Sequence, residues 1–397
     1  MKILVLGIGK QGSVLVRDLI QSEEVTEIVA GDIDIRTART YIEKLKSEKL
    51  SAERIDVTDH AKLANLMRGH FDVVASALLW KHNMDVAKAA IKVGVNYVDL
   101  GSPPQIYKLD KPAKAARVTI IPSCGLEPGI DNILAGYGAR KLDKVEKIHT
   151  WCGGIPQKGT LGYHNPLRYK ISWWWEGSIN MSCGTAKILR NGEIIGVDKL
   201  AEPETIRFRE PVGECEAFPT GAPIHLIKHL GLKDVEEAWS KTVRWPGHTD
   251  IWKKLIDLNL MRTDLRVRIR GCKITPREFW IKLGQKTLQY EKGEGDLVVL
   301  RVRLAGEKNK EKTTHSYELI DFYDKQRDIT AMSRTTAYPC SIVAQMIARG
   351  DVKERGIVHA GRIGWDPFLA RSFFSELQKR NINITESITH ILRERKV

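Results

Sequence analysis

Residues 2–34 constrain the fold more than any other stretch of this chain. Lys2-Ile-Leu-Val-Leu6 has the length and unbroken apolar character of a strand buried on both faces. Gly7-Ile-Gly9-Lys10-Gln11-Gly12 follows at once. Val14, Leu15, Leu19 and Ile20 then mark one helical stripe, and Glu27–Ala30 reads as a second strand running into Gly31-Asp32. Strand, glycine turn, helix, strand and acid is the order that a dinucleotide site requires.

Each part has a physical task. Gly7 permits the tight turn, Gly9 lets backbone approach a pyrophosphate, and Gly12 lets the helix pack close to the sheet. The helix N-terminus, with Lys10 and Gln11 in its first turn, presents free N–H groups to phosphate. Asp32 stands twenty residues beyond Gly12, where a carboxylate binds ribose hydroxyls and repels a 2′-phosphate. NAD is therefore the expected cofactor, with NADP disfavoured.

Alternating strand and helix patterns continue to about residue 125, with strands at 52–56, 71–76, 97–100 and 118–121 and helices at 36–49, 61–67 and 83–93. This predicts an α/β fold: an N-terminal Rossmann-type, doubly wound parallel sheet over 1–125. Beyond Cys124 the pattern changes. Segments 146–152, 265–273, 296–304 and 313–322 read as longer strands, and Val298–Leu304 alternates apolar and charged residues, as a sheet with one wet face does. Residues 126–334 are expected to form an α+β substrate domain with a largely antiparallel sheet and the subunit contacts. Residues 335–397, opening with the apolar helix Ser341–Ala348, are expected to pack back on the first domain.

Composition narrows the function classes. The chain has 397 residues, 42% of them hydrophobic, enough for two ordinary domains. No apolar run reaches the ~18–20 residues of a membrane span. Met1-Lys2 leads straight into the first strand with no signal-peptide pattern, so a cytoplasmic protein without a membrane partner is expected. Six cysteines, at 124, 152, 183, 215, 272 and 340, form no Cys-x-x-Cys pair, which argues against a metal site or a disulfide framework. The net charge of +14 favours anionic ligands. Its lysines and arginines are dispersed and lack interleaved aromatics, so no nucleic-acid partner is expected.

Ligands of an open parallel sheet bind at the carboxyl ends of its strands. Here those ends are Gly7–Gly12, Asp32, Asp56-Val57, Ser76-Ala77-Leu78, Asp99–Gly101 and the turn around Glu127. The first three would take pyrophosphate, ribose and adenine, and Ser76–Leu78 the nicotinamide half. Asp99, Gly101 and Glu127 would lie near the reacting carbon, with Asp99 or Glu127 as the base. Asp56 reads equally well as a local turn. In the second region Arg168, Tyr169 and Lys170 are candidate substrate ligands, and Arg244 can bind a carboxylate bidentately. Trp173, Trp174 and Trp175 cannot all face one core in a strand; core packing with a subunit contact is the simplest account. His248, standing alone, reads as structural more readily than as an acid/base group.

With these residues assembled, the whole chain resembles the saccharopine dehydrogenase family. Gly125-Leu-Glu-Pro-Gly-Ile-Asp131, Cys152-Gly-Gly-Ile-Pro156, Asn165-Pro-Leu-Arg-Tyr-Lys-Ile-Ser-Trp173 and Thr242-Val-Arg-Trp-Pro-Gly247 are similar to its motifs. The run at 165–173 resembles saccharopine reductases. Val95–Gly101, Arg268–Arg277, Val298–Val302 and Thr330–Tyr338 resemble lysine 6-dehydrogenases. The resemblance implies an oxidoreductase acting on an amino-acid C–N bond beside a nicotinamide, most of all on the ε-amine of lysine, with saccharopine as the alternative substrate; saccharopine reductases commonly use NADP, whereas Asp32 agrees with NAD. It also implies a homo-oligomer, and it assigns Arg244 to a substrate carboxylate. A non-catalytic NAD sensor is a different class of answer, but it needs only the first third of the chain.

Overall fold

The computed structural model describes residues 1–391. Two compact units emerge: residues 1–141 with 333–383, and residues 142–332 with 384–391.

The first unit is built on a seven-stranded parallel sheet. Its elements run β1 (Lys2–Leu6), α1 (Lys10–Ile20), β2 (Glu27–Asp32), α2 (Ile35–Ile42), β3 (Leu50–Arg54), α3 (His60–Met67), β4 (Val73–Ser76), α4 (Trp80–Val93), β5 (Asn96–Asp99) and β6 (Thr119–Ile121). The strand order is β3-β2-β1-β4-β5-β6, and Gly356–Ile357 adds a seventh strand beyond β6. The order reverses between β1 and β4, and a crevice opens at such a switch point. Ile3, Leu4, Val5 and Leu6 have no exposed surface, as a strand covered on both faces requires. The helix expected over 36–49 stops at Ile42. A 3-10 turn, Glu43–Leu45, follows, and Lys46 adopts the left-handed conformation at φ 45°.

The second unit holds a nine-stranded, mostly antiparallel sheet. Its central path runs Glu204–Arg207, Glu214–Gly221, Glu237–Arg244, Lys144–Pro156, Asp296–Lys308, Glu311–Phe322, Ile384–Ile391. Lys144–Pro156 and Glu237–Arg244 pair in parallel; the other neighbours on this path are antiparallel. Along Asp296–Lys308 both faces are buried at first. From Leu300 on, Val302 and Leu304 point inward while Arg301 and Arg303 point outward, the wet face that the alternation predicts. Two expectations are corrected. Segment 265–273 does not join this sheet: Arg270 and Gly271 both take positive φ (47° and 84°), so Val267–Ile269 folds back on Cys272–Ile274 as a separate hairpin. Residues 384–391, expected with the first domain, pair instead with Glu311–Phe322; the β-branched Ile384, Thr385, Ile388 and Thr389 suit a strand. The last six residues of that expected segment lie outside the described residues.

Candidate functional site

The glycine turn is shaped by close contact. Gly7 sits at φ 86°, and a Cβ on Gly12 would lie 1.8 Å from the Gly7 carbonyl oxygen and 3.3 Å from the Ala77 Cβ. Helix α1 therefore meets the sheet at a distance only glycine permits. Gly9 is different: nothing lies within 4 Å of its would-be Cβ, so this face of the turn is open. Helix α1 has no side-chain cap and no acid in its first turn. Its free N–H groups and positive dipole end are thus available to an anion. Both amide atoms of Gln11 are buried without a hydrogen-bond partner, while Lys10 is exposed. Open backbone, an uncapped helix and an orphaned amide fit a dinucleotide pyrophosphate.

Asp32 ties two turns together. Its carboxylate accepts from the Ile8 N–H at 2.6 Å and the Asp34 N–H at 2.8 Å, placing it beside the glycine turn. Asp34 in turn caps α2 through the Arg36 and Thr37 amides. The Ile55 N–H donates to the Asp32 carbonyl, so Asp56 follows next to it. Asp56 itself accepts from the Thr58 amide and hydroxyl, and these bonds hold its carboxyl below the usual range. That is the local-turn reading of Asp56. Val57 packs against the apolar core. Ala77 and Leu78 lie against Gly7, within 3.1 Å of its would-be Cβ. Ser76, expected to meet the cofactor, has no exposed surface; its hydroxyl donates to Asn83 Oδ1 at 2.7 Å. Asn83 Nδ2 then donates to the Gly101 carbonyl at 2.6 Å, fixing the end of β5. Asn83 escaped sequence reasoning because a lone Asn in a helical run carries no signal.

Asp99 is wholly buried. One carboxylate oxygen accepts the Ser123 N–H at 2.8 Å and the other accepts the Ser102 hydroxyl. Burial outweighs these bonds and raises its pKa to about 6. The geometry makes Asp99 a brace between the turns after β5 and β6. Glu127 is half-exposed at the tip of the turn 125–129. That turn is closed by Gly125 N–H to Pro128 O (2.9 Å) and Ile130 N–H to Gly125 O (3.0 Å). Asp131, buried behind it, accepts the Gly129 N–H at 2.6 Å.

In the second unit, Arg244 is 4% exposed; its Nη1 donates to the Val243 carbonyl and its Cζ lies 4.9 Å over the Tyr169 ring. Tyr169 is buried, with its hydroxyl 2.6 Å from Ser178 Oγ and its ring stacked on Trp175. Arg168, at φ 46°, packs its guanidinium over Tyr163. Lys170 requires a correction as a substrate cation: it is 7% exposed and ion-paired with Glu294, itself 6% exposed, at 2.6 Å. Glu294 also accepts the Gly162 and Glu291 amides. Burial pushes its pKa up, but Lys170 and the two N–H donors outweigh this and hold it below the usual range. Glu294→Gln leaves an uncompensated buried ammonium, and an expected loss of about 3–5 kcal/mol follows. Urea denaturation checks it, and adding Lys170→Met should restore most of the loss.

The tryptophans divide as their spacing implies: Trp173 is 37% exposed, Trp174 intermediate and Trp175 2% exposed, where an α-helix, not a strand, begins. His248 is structural. Its Nδ1 pairs with the Leu167 carbonyl at 2.7 Å, and burial, then Arg244, pushes its pKa down to about 3. Asp296 caps the long helix Ala331–Ala348, accepting the Ala331 and Met332 amides. Among the described residues no helix is long and apolar enough to cross a membrane.

Comparison with known proteins decides the family. Residues 125–382 match the saccharopine dehydrogenase C-terminal domain, and residues 3–121 match the saccharopine dehydrogenase NADP binding domain. The chain belongs to the saccharopine dehydrogenase family. Members of this family are oxidoreductases, amino-acid dehydrogenases acting on CH–NH groups. The chain is 30% identical over 271 residues to alpha-aminoadipic semialdehyde synthase of Arabidopsis thaliana, a match covering 64% of this chain and only 25% of that protein. It is 23% identical to saccharopine dehydrogenase [NADP(+), L-glutamate-forming] of Schizosaccharomyces pombe, over 88% of this chain and 91% of that one. In fold it is similar to apo saccharopine dehydrogenase (L-Glu forming) of Saccharomyces cerevisiae, with a TM-score of 0.82 at 21% identity, covering 98% of this chain and 99% of that one.

Proposed function

We propose that this family member is an NAD-preferring dehydrogenase that oxidises the ε-C–N bond of lysine to the semialdehyde and ammonia. The Lys170–Glu294 pair carries the choice of substrate. Lysine has one carboxylate and saccharopine three. With Lys170 neutralised inside the fold and the Arg168 guanidinium packed over the Tyr163 ring, Arg244 is the candidate for bidentate binding of a single substrate carboxylate. Saccharopine stands as the second reading, favoured by the names of the Schizosaccharomyces and Saccharomyces relatives.

The chemistry follows from that substrate. An ε-ammonium must lose a proton before hydride can leave Cε, so a base is required. Asp99 is sealed and occupied on both oxygens, so Glu127 takes this role and Asp99 positions the turn that carries it. A bound dinucleotide supplies the hydride acceptor. Water then adds to the imine carbon, and the C–N bond breaks to release ammonia. Formation of NADH from NAD⁺, read at 340 nm with lysine and with saccharopine, tests the proposal; turnover of saccharopine alone overturns it.

Asp32 is the reason to read NAD, although NADP stands in the names of the matched domain and relatives. Its carboxylate beside the glycine turn would repel a 2′-phosphate. Asp32→Ser should shift the NAD/NADP ratio of kcat/KM toward NADP by about tenfold or more, roughly one charge–charge contact. An equal loss with both cofactors would mean that Asp32 only braces the turns.

A further inference from the structure

We infer that Tyr290 is a specificity-determining residue: its phenol donates a hydrogen bond to the substrate carboxylate that Arg244 holds. This rests on the reading of Arg244 given under the proposed function. The Tyr290 hydroxyl is buried and has no hydrogen-bond partner. Buried polar groups are almost always paired, so an orphaned donor marks a place where a partner arrives from elsewhere.

The position of Tyr290 is set from both sides. The Ile171 N–H donates to the Leu288 carbonyl at 2.8 Å, which ties 288–290 to the segment carrying Tyr169 and Lys170. The Glu291 N–H donates at 3.0 Å to the Glu294 oxygen that also receives the Lys170 ammonium. Tyr290 is thus stapled beside Tyr169, over whose ring the Arg244 guanidinium lies. The acceptors around it are already engaged. Glu294 accepts from Lys170, Gly162 and Glu291, and Asp296 from the Ala331 and Met332 amides; Tyr169 pairs with Ser178.

The electrostatics agree with a donor. Burial, then the carboxylate of Asp296, keeps the phenol protonated well above its ordinary range, while Arg244 acts in the opposite sense. A protonated phenol beside a guanidinium gives an anion with two oxygens a donor for each, while the guanidinium charge repels an ammonium. The α-carboxylate end of the amino acid therefore belongs here. A site built to bond a given group discriminates strongly against analogues that lack it.

Full-length wild type and Tyr290→Phe are compared on L-lysine, L-saccharopine and L-lysinamide. The expected result is an amino-acid KM raised about tenfold, the scale of one hydrogen bond to a charged group. The KM for the dinucleotide and kcat should stay within about twofold, and L-lysinamide should be handled equally by both proteins. The Tm of the unliganded variant should be unchanged or higher, because an unsatisfied buried hydroxyl has been removed. An unchanged amino-acid KM overturns the inference. So does a fall in Tm accompanied by equal losses for lysine and lysinamide, the mark of a structural role. If the wild type oxidises neither amino acid, the proposed function fails by itself, and calorimetric Kd values for L-lysine then decide on Tyr290. Equal values in wild type and Tyr290→Phe, or no binding to the wild type, would sink it.

Discussion

Glu127→Gln is expected to lower kcat by about 10²–10⁴-fold, the range that removing a general base produces. The substitution keeps size and hydrogen-bonding capacity but cannot accept the substrate proton. Its side chain stands half-exposed at the tip of a turn closed by backbone hydrogen bonds, which the substitution leaves in place. Steady-state kinetics should show kcat falling with little change in either KM, and calorimetry an unchanged Tm. A variant that keeps most of its kcat would return the role of base to another group. Asp99→Asn provides the contrast, since that buried carboxylate braces Ser102 and Ser123, and its loss should show first in stability.

The second large effect separates two glycines of one turn. Gly12→Ala forces a Cβ to 1.8 Å from the Gly7 carbonyl oxygen, so helix and strand must part. Overpacking of this kind costs about 1–3 kcal/mol, and dinucleotide binding should vanish with it. Gly9→Ala meets nothing within 4 Å. Its Tm should match the wild type, yet the added methyl occupies the face where a pyrophosphate must approach. Dinucleotide affinity measured by calorimetry should fall at least tenfold in both variants, and Tm should fall only for Gly12→Ala. Normal binding by Gly9→Ala would mean that the pyrophosphate does not lie on this face.

The first unit was legible because its signals are local. An apolar run, a glycine spacing and an acid at the end of the second strand each act over a few residues, and Gly7–Gly12, Asp32 and Ala77–Leu78 do come together at the end of β1. The second unit was legible in class but less so in detail. Period-two alternation announced its strands, yet it did not say that 265–273 would fold back on itself or that 384–391 would join the second sheet. Pairing partners far apart in sequence leave no mark on either strand alone.

The chain's own order of residues determined the parallel sheet, the dinucleotide turn and the family, since each rests on short-range spacing that survives in any context. Which charges remain for a ligand was decided only by the tertiary structure. Lys170 reads as a substrate cation until Glu294, 124 residues on, is seen to neutralise it. Asp99 reads as a base until Ser102 and Ser123 close over it. Tyr290 carries no motif, and only its burial without a partner draws notice. Desolvation and pairing are properties of the space around a group, and that space exists only once distant segments have packed.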